Sequence, residues 1–349
     1  MMKPSTAFAV GALALALVAA FVPMPADPVE RLYSSGLYPM FQPPLTWLSN
    51  LVPFALFDAL LIATAITVLV WLAAMGFRVV RRGGRFVART VTLGAVLYLA
   101  FLVAWGLHYR REPLRRTLEF HDERVTPDAL RQLADRAVAE LNAIHPRLPT
   151  VWPDWEDLRP QLDSAFRQAA GQVGVSWRVE LAEPKHSLLN AYFRQTAIDG
   201  MVDPFFLEVL VNGSVLPFER PFIVSHEWAH LAGRASEAEA SFLGWITCMY
   251  GPPSARYSAW IALYGAIVGA LPRAEQTAVG EALADGPRRD LVALRERITS
   301  QSAPLARQAS QAVYDRFLKA NRLPDGVSSY GQVVTLLLGT TVEVPDLRD

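Results

Sequence analysis

The 349-residue chain contains one cysteine, Cys248. A single thiol excludes an internal disulfide framework and any metal cluster built from several thiolates. A buried apolar thiol is the expected role for it. The chain also lacks an excess of either charge, with 33 basic and 33 acidic residues and a formal net charge of zero. With no basic stripe or face there is no electrostatic case for nucleic acid as a partner. Internal repeats and low-complexity tracts are absent too.

What the chain has is apolar sequence, unevenly spread. Three uncharged runs occupy its first third, Ala7–Val22, Ala59–Phe77 and Thr90–Leu107. At about 1.5 Å per residue each can cross a hydrocarbon core of about 30 Å. The reading is a membrane anchor over 1–109 with three spans near 6–23, 57–77 and 89–107, and lipid as a partner. The first run is read as a retained helix. VPMPA is a poor cleavage site for a signal peptide, and two more spans follow. Arginine bias sets the topology. Arg78, Arg81, Arg82, Arg85 and Arg89 lie between the second and third runs. Placing them inside puts Lys3 inside and the remainder of the chain outside, although Arg110, Arg111, Arg115 and Arg116 pull the other way. The aromatic-rich stretch PVERLYSSGLYPMFQPPLTWLSNLVPF reads as a belt at the headgroups.

From residue 110 the pattern is that of a charged globular domain, 110–349. TPDALRQLADRAVAELNAIHP has Thr126 as N-cap, Pro127 at the first helical position and apolar residues at helical spacing. SWRVEL (Ser176–Leu181) alternates like a strand. HSLLNAYFRQTAIDGMVDPFFLEVLVNG reads as two or three short strands, with turns near Asp199-Gly200 and Asn212-Gly213. Helices follow almost to the end, and apolar Tyr257–Leu271 is short enough to be a core or membrane-surface helix rather than a fourth span. The fold class is α+β: transmembrane helices, then a mostly helical domain with a small sheet.

The chemistry concentrates in SHEWAHLAGRASEAEASF, Ser225–Phe242. Pro221 at the start and Gly233 at the end bracket a helix. His226 and His230, four apart, share one face of it and can hold an ion between them. Glu227 is rotated by about 100° and suits a general base acting on a water polarised by that ion. One Zn2+ per chain is the expected cofactor, needing a third protein ligand and an open position. Position 236 is serine, which excludes the class with a third histidine there. A glutamate on the next helix remains. Ser236 and Glu239 match a capping box, in which Ser236 caps the helix and Glu239 reaches back to its amide. That occupies Glu239 and assigns Glu237 as the third ligand.

HEWAHLAG followed by EAEASF resembles the bacterial membrane family named domain of unknown function 3810, a gluzincin-like zinc peptidase group. The likeness extends to LYSSGLYPMF, LVPFALFD, WGLHYRREPL, GMVDPFFLEVLVN and VYDRFLKANRLPDGVSSYGQVVTLLLG, in order along nearly the whole chain. It implies a multi-pass anchor in the bacterial inner membrane and an extracytoplasmic zincin-like domain. His226, His230 and Glu237 would be the ligands and Glu227 the base. Ser241 stands where the family usually has Asn or Asp, and Asp203 and Phe206-Leu207 also depart from its pattern.

The functional expectation is a membrane-anchored zinc metallopeptidase acting on a peptide or protein substrate. The alternative is a catalytically silent zinc protein that binds peptides or has a structural role. Gly200, Met201 and Val202 are candidates for a strand that pairs with extended substrate. Tyr330, with Tyr314, Arg316 and Tyr192 behind it, is the candidate oxyanion donor. His108, His121, His145 and His186 lack ligand spacing and are expected at surfaces or interfaces.

Overall fold

The computed structural model describes residues 4–75, 79–321, 332–342 and 344–345, and the chain is mostly helical. Helix α1 (Pro4–Phe21) leads through a 118° bend into the helical run Ala26–Asn50, whose last part is α2 (Tyr38–Asn50). Helices α3 (Leu56–Met75) and α4 (Val79–Ala104) follow. Two stretches, Leu56–Ala74 and Gly83–Ala104, are long and apolar enough to cross a membrane. The bent pair makes a third only if it counts as one broken span.

Both spans are fastened to the rest of the protein at one end. At the start of α3, the Leu56 and Phe57 amides each donate to the Glu208 carboxylate, at 3.1 Å. These are orphan N–H groups of a helix terminus, where a carboxylate is favoured by the dipole. Lys185 pairs with Glu208 at 2.6 Å and also donates to the Ser49 carbonyl at 2.6 Å. Glu208 is fully buried and Lys185 nearly so. Lys185→Met is expected to lower stability by about 3–5 kcal/mol, because it strands a buried carboxylate. Thermal unfolding in detergent measures this, and an unchanged midpoint would contradict it.

At the end of α4, Trp105 and the turn Gly106–Arg110 run under the globular part. The four arginines that blurred the topology reading have local partners. Arg110 donates to the Ala19 carbonyl and Arg111 to Glu30, while Arg115 pairs with Asp122 and Arg116 with Glu112. The two apolar helices therefore meet the domain at the start of α3 and the end of α4.

The globular part runs α5 (Pro127–Ile144), α6 (Trp155–Gln172), β1 (Pro184–Lys185), α7 (Asn190–Thr196), β2 (Gly200–Val202), β3 (Val209–Val211), α8 (Arg220–Leu231), α9 (Glu237–Tyr250), α10 (Pro253–Ala270), α11 (Arg273–Glu281), α12 (Asp285–Gln301), α13 (Pro304–Ala320) and α14 (Gln332–Gly339). Thr126 caps α5 as its sequence requires, its hydroxyl accepting from the Ala129 amide at 3.2 Å. Helix α10 is a buried core helix. The sheet order is β1-β3-β2, with β3 central, parallel to β1 and antiparallel to β2. One hydrophobic core joins Tyr33, Tyr38 and Trp105 from the anchor to Trp228, Phe242 and Trp260 of the domain.

Three local expectations are corrected. Ser176–Leu181 forms no strand. The backbone around it is claimed by side chains of α2: Gln42 bonds both the amide and the carbonyl of Glu180, and Asn50 bonds the Leu181 carbonyl and the Glu183 amide. The first strand expected after His186 is helix α7, closed by Ala197 in the left-handed region. Finally, Tyr33, Tyr38 and His108 are core groups rather than a headgroup belt or a surface residue. Their rings pack together, with Tyr38 edge-on to His108 at 4.2 Å.

Candidate metal centre

Helix α8 carries His226 and His230 one turn apart, with ring centroids separated by 4.8 Å. Gly233, at φ +79°, ends that segment in the left-handed conformation that glycine tolerates. A Cβ there would collide with His108 and Arg111 as well. The chain reverses and α9 returns against α8. The approach is close, since a Cβ at Gly244 would stand 3.0 Å from the His226 backbone nitrogen. Glu237, Ser241 and Gly244 lie at i, i+4 and i+7 on α9, so one face presents all three to α8.

The Glu237 carboxylate lies 3.2 Å from Nε2 of His226 and 3.8 Å from Nε2 of His230. One ligand atom from each of the three falls within 4.8 Å of the others. Zinc with bonds of about 2.0–2.1 Å in tetrahedral geometry holds its ligand atoms ~3.3 Å apart, so the donor set suits that ion once the side chains draw slightly closer. The outer ring nitrogens are also provided for. His230 Nδ1 is 2.6 Å from the Arg234 carbonyl, to which it donates, and His226 Nδ1 is 3.2 Å from the Ser241 hydroxyl. Fixing the proton on Nδ1 of His230 leaves the lone pair of its Nε2 directed at Glu237, as a metal ligand requires.

Electrostatics at the cluster are strong because the groups are buried. Burial works against the charged forms of both Glu237 and His230, and their mutual contact overrides it. The imidazoles hold the Glu237 carboxyl well below the ordinary glutamate range, and Glu237 raises His230 to about 9. Glu227 behaves differently. Burial pushes its carboxyl above the ordinary range, against the pull of His226 and His230 and with reinforcement from Glu237. It accepts from the Val202 amide, while its Oε2 is buried with no hydrogen-bond partner. A buried carboxylate oxygen without a partner is uncommon, and this one lies beside the three converging side chains.

The edge strand β2 lies against this carboxylate. A Cβ at Gly200 would come 2.6 Å from Glu227 Oε1, so glycine here supplies room for the glutamate. Gly200, Met201 and Val202 thus form a sheet edge next to the cluster, as their sequence position suggested.

Other site residues fall differently. Ser236 is the N-cap residue of α9 but its side chain makes no capping bond, and the capping box does not form. Glu239 instead accepts from the Leu114 amide at 2.7 Å and lies 3.9 Å from Arg234. An amide following Pro113 and a buried guanidinium compete better for it than the Ser236 amide does. Glu239 therefore steadies the Arg234 loop whose carbonyl receives His230. Tyr330 lies outside the described residues. Tyr314, from α13, donates its hydroxyl to the second oxygen of Glu237. It is 77 residues away in sequence, and no local spacing marks it as a ligand-positioning group. Tyr314→Phe is expected to weaken metal binding by about 10–100-fold. A competitive chelator titration measures this, and unchanged affinity would deny Tyr314 that role.

The C-terminus of α8 is capped by side chains from the first third of the chain. Trp105 donates to the His230 carbonyl at 3.0 Å and Tyr38 to the Leu231 carbonyl at 2.9 Å. Arg111 donates to the carbonyls of Ala232 and Gly233 at 3.2 and 3.0 Å. The His230 carbonyl also accepts from the Gly233 amide at 2.9 Å, and at the other three these side chains serve the carbonyls of the helix end.

Fold and site together define a helical protein with two or three segments able to cross a membrane and a His-His-Glu cluster that could hold a metal. Residues 33–338 match the family described as protein of unknown function (DUF3810), and the chain belongs to that family. No curated protein and no solved structure matches it.

Proposed function

We propose that the protein is a membrane-anchored zinc metallopeptidase. The observation that carries this reading is the convergence of His226, His230 and Glu237 beside the unpartnered Oε2 of Glu227. Among the described residues the cluster has three donors. That count suits a catalytic zinc with an open position, whereas structural sites are usually closed by four protein ligands. Zinc, when bound, supplies Lewis acidity that polarises a carbonyl and lowers the pKa of a water to about 7. Glu227 takes the proton of the attacking water and returns it to the leaving amine, and its raised pKa suits both halves of that exchange. Strand β2 aligns extended substrate by backbone pairing along its free edge. Tyr314 and Ser241 hold Glu237 and His226 in place. The arginine-rich connection between α3 and α4 favours an extracytoplasmic domain in a bacterial inner membrane.

The test is zinc per chain by elemental mass spectrometry on full-length protein in detergent, followed by peptide hydrolysis with the loaded protein. Wild type and Glu239→Gln are expected to carry about one zinc, and Glu237→Gln to lose it. Absence of zinc after reconstitution, or a loaded protein that hydrolyses no peptide in a degenerate library, would overturn the reading.

A further inference from the structure

The position of the cluster relative to the spans points to a class of substrate. Trp105 is the first residue after α4, and its ring lies 6.0 Å from that of His230 while its indole N–H bonds the His230 carbonyl. The apolar stretch of α4, Gly83–Ala104, has 22 residues. At about 1.5 Å per residue it accounts for the ~30 Å hydrocarbon core and leaves Trp105 at the interface. A second route leads from the cluster to the same level. Tyr314, bonded to Glu237, stacks on Phe317, and Phe317 packs against Phe101 inside α4 at 6.0 Å.

Helix α2 marks that level independently, because it is built inside out. Tyr38, Gln42, Thr46 and Ser49 are buried against the domain, whereas Met40, Trp47, Leu48 and Leu51 are more than half exposed. A helix that turns polar residues inward and Trp, Leu and Met outward is suited to lipid on its outer face. Leu188 is 73% exposed and its amide donates to Asp58 in the first turn of α3, so it lies at the head of the other span.

We infer that the site acts on polypeptide held at the bilayer, cutting a membrane-tethered chain within a few residues of its anchor rather than a freely diffusing peptide. The inference rests on the peptidase reading and on α3 and α4 crossing the membrane. The reach is short: a metal within ~10 Å of the headgroups meets an extended chain, at about 3.3 Å per residue, some three residues beyond the lipid. Tethering supplies a local concentration that a freely diffusing peptide lacks.

Two measurements test it on full-length protein in lipid nanodiscs. In the first, a degenerate peptide library is offered free, and behind a single transmembrane anchor with spacers of about 4 and about 25 residues. The short-spacer pool is expected to be cut at least ~10²-fold faster than the free pool and faster than the long-spacer pool. Equal rates for free and tethered peptide, or preference for the long spacer, would overturn the inference and leave the peptidase reading standing. No cleavage of any pool by zinc-loaded protein would overturn both. The second measurement needs no turnover. Nitroxides on Val313→Cys, Leu188→Cys and, as reference, Val103→Cys report collision with oxygen against a water-soluble nickel chelate, with buried Cys248 left in place. Val313 and Leu188 are expected within about one helical turn of the depth of Val103. A fully aqueous signal at Val313 would overturn the inference.

Discussion

Glu227→Gln is expected to retain about one zinc per chain while peptide hydrolysis falls by about 10²–10⁴-fold. Glutamine has almost the shape of glutamate, so it can still accept from the Val202 amide and fill the space beside Gly200. It cannot take a proton from water. Ligation belongs to the neighbouring His226, His230 and Glu237, and none of their contacts with one another passes through Glu227. Zinc content and hydrolysis measured on the same preparation separate the two roles. Loss of zinc would make Glu227 a ligand or a fold determinant, and unchanged hydrolysis would remove it from the chemistry.

The second large effect is expected from cutting the chain at the boundary that hydropathy suggests. A fragment of residues 110–349 loses Tyr38 and Trp105, and with them the donors to the Leu231 and His230 carbonyls. It keeps Arg111 but loses Glu30, which orients that guanidinium through two bonds of 2.6 and 2.7 Å. It also loses Ser49 and the Leu56 and Phe57 amides, leaving Lys185 and Glu208 as a buried pair with most partners gone. Each stripped buried group costs about 1–3 kcal/mol, and a domain stable by about 5–15 kcal/mol cannot lose several at once. The fragment is expected to lack a cooperative thermal transition and to bind no zinc, whereas the full chain in detergent is expected to show a transition and to bind about one zinc. A fragment that folds and binds zinc would mean that the shared core is dispensable.

Much of the site was legible because its determinants are local. The i, i+4 histidines need only a helix, and Gly233 announces where that helix stops. The same locality misled at Ser236 and Glu239. A capping box is a prediction about neighbours in sequence, and Glu239 found the Leu114 amide, more than a hundred residues away. The structure brings Glu237 to the two histidines, but not for the reason that singled it out in the sequence. Its place follows from the packing of α9 on α8 through Gly244. Ser176–Leu181 shows the limit from the other side. Alternation describes a strand only if another strand accepts its backbone, and here Gln42 and Asn50 do so instead. The aromatics before α3 composed a plausible headgroup belt, yet burial divided them: Tyr38 supports the metal helix while Trp47 faces out. The sequence marks Tyr314 only as a candidate oxyanion donor, and its bond to Glu237 emerges only from the position of α13.

The carbonyl caps on α8 also carry an order of events. Tyr38, Trp105 and Arg111 are made more than a hundred residues before the helix whose end they satisfy. A ribosome delivers the anchor first, and α8 has its C-terminal partners waiting only after the third apolar run has settled. The end of α8 is thus the last part of this contact to be made, closing on partners that the first third of the chain has already supplied.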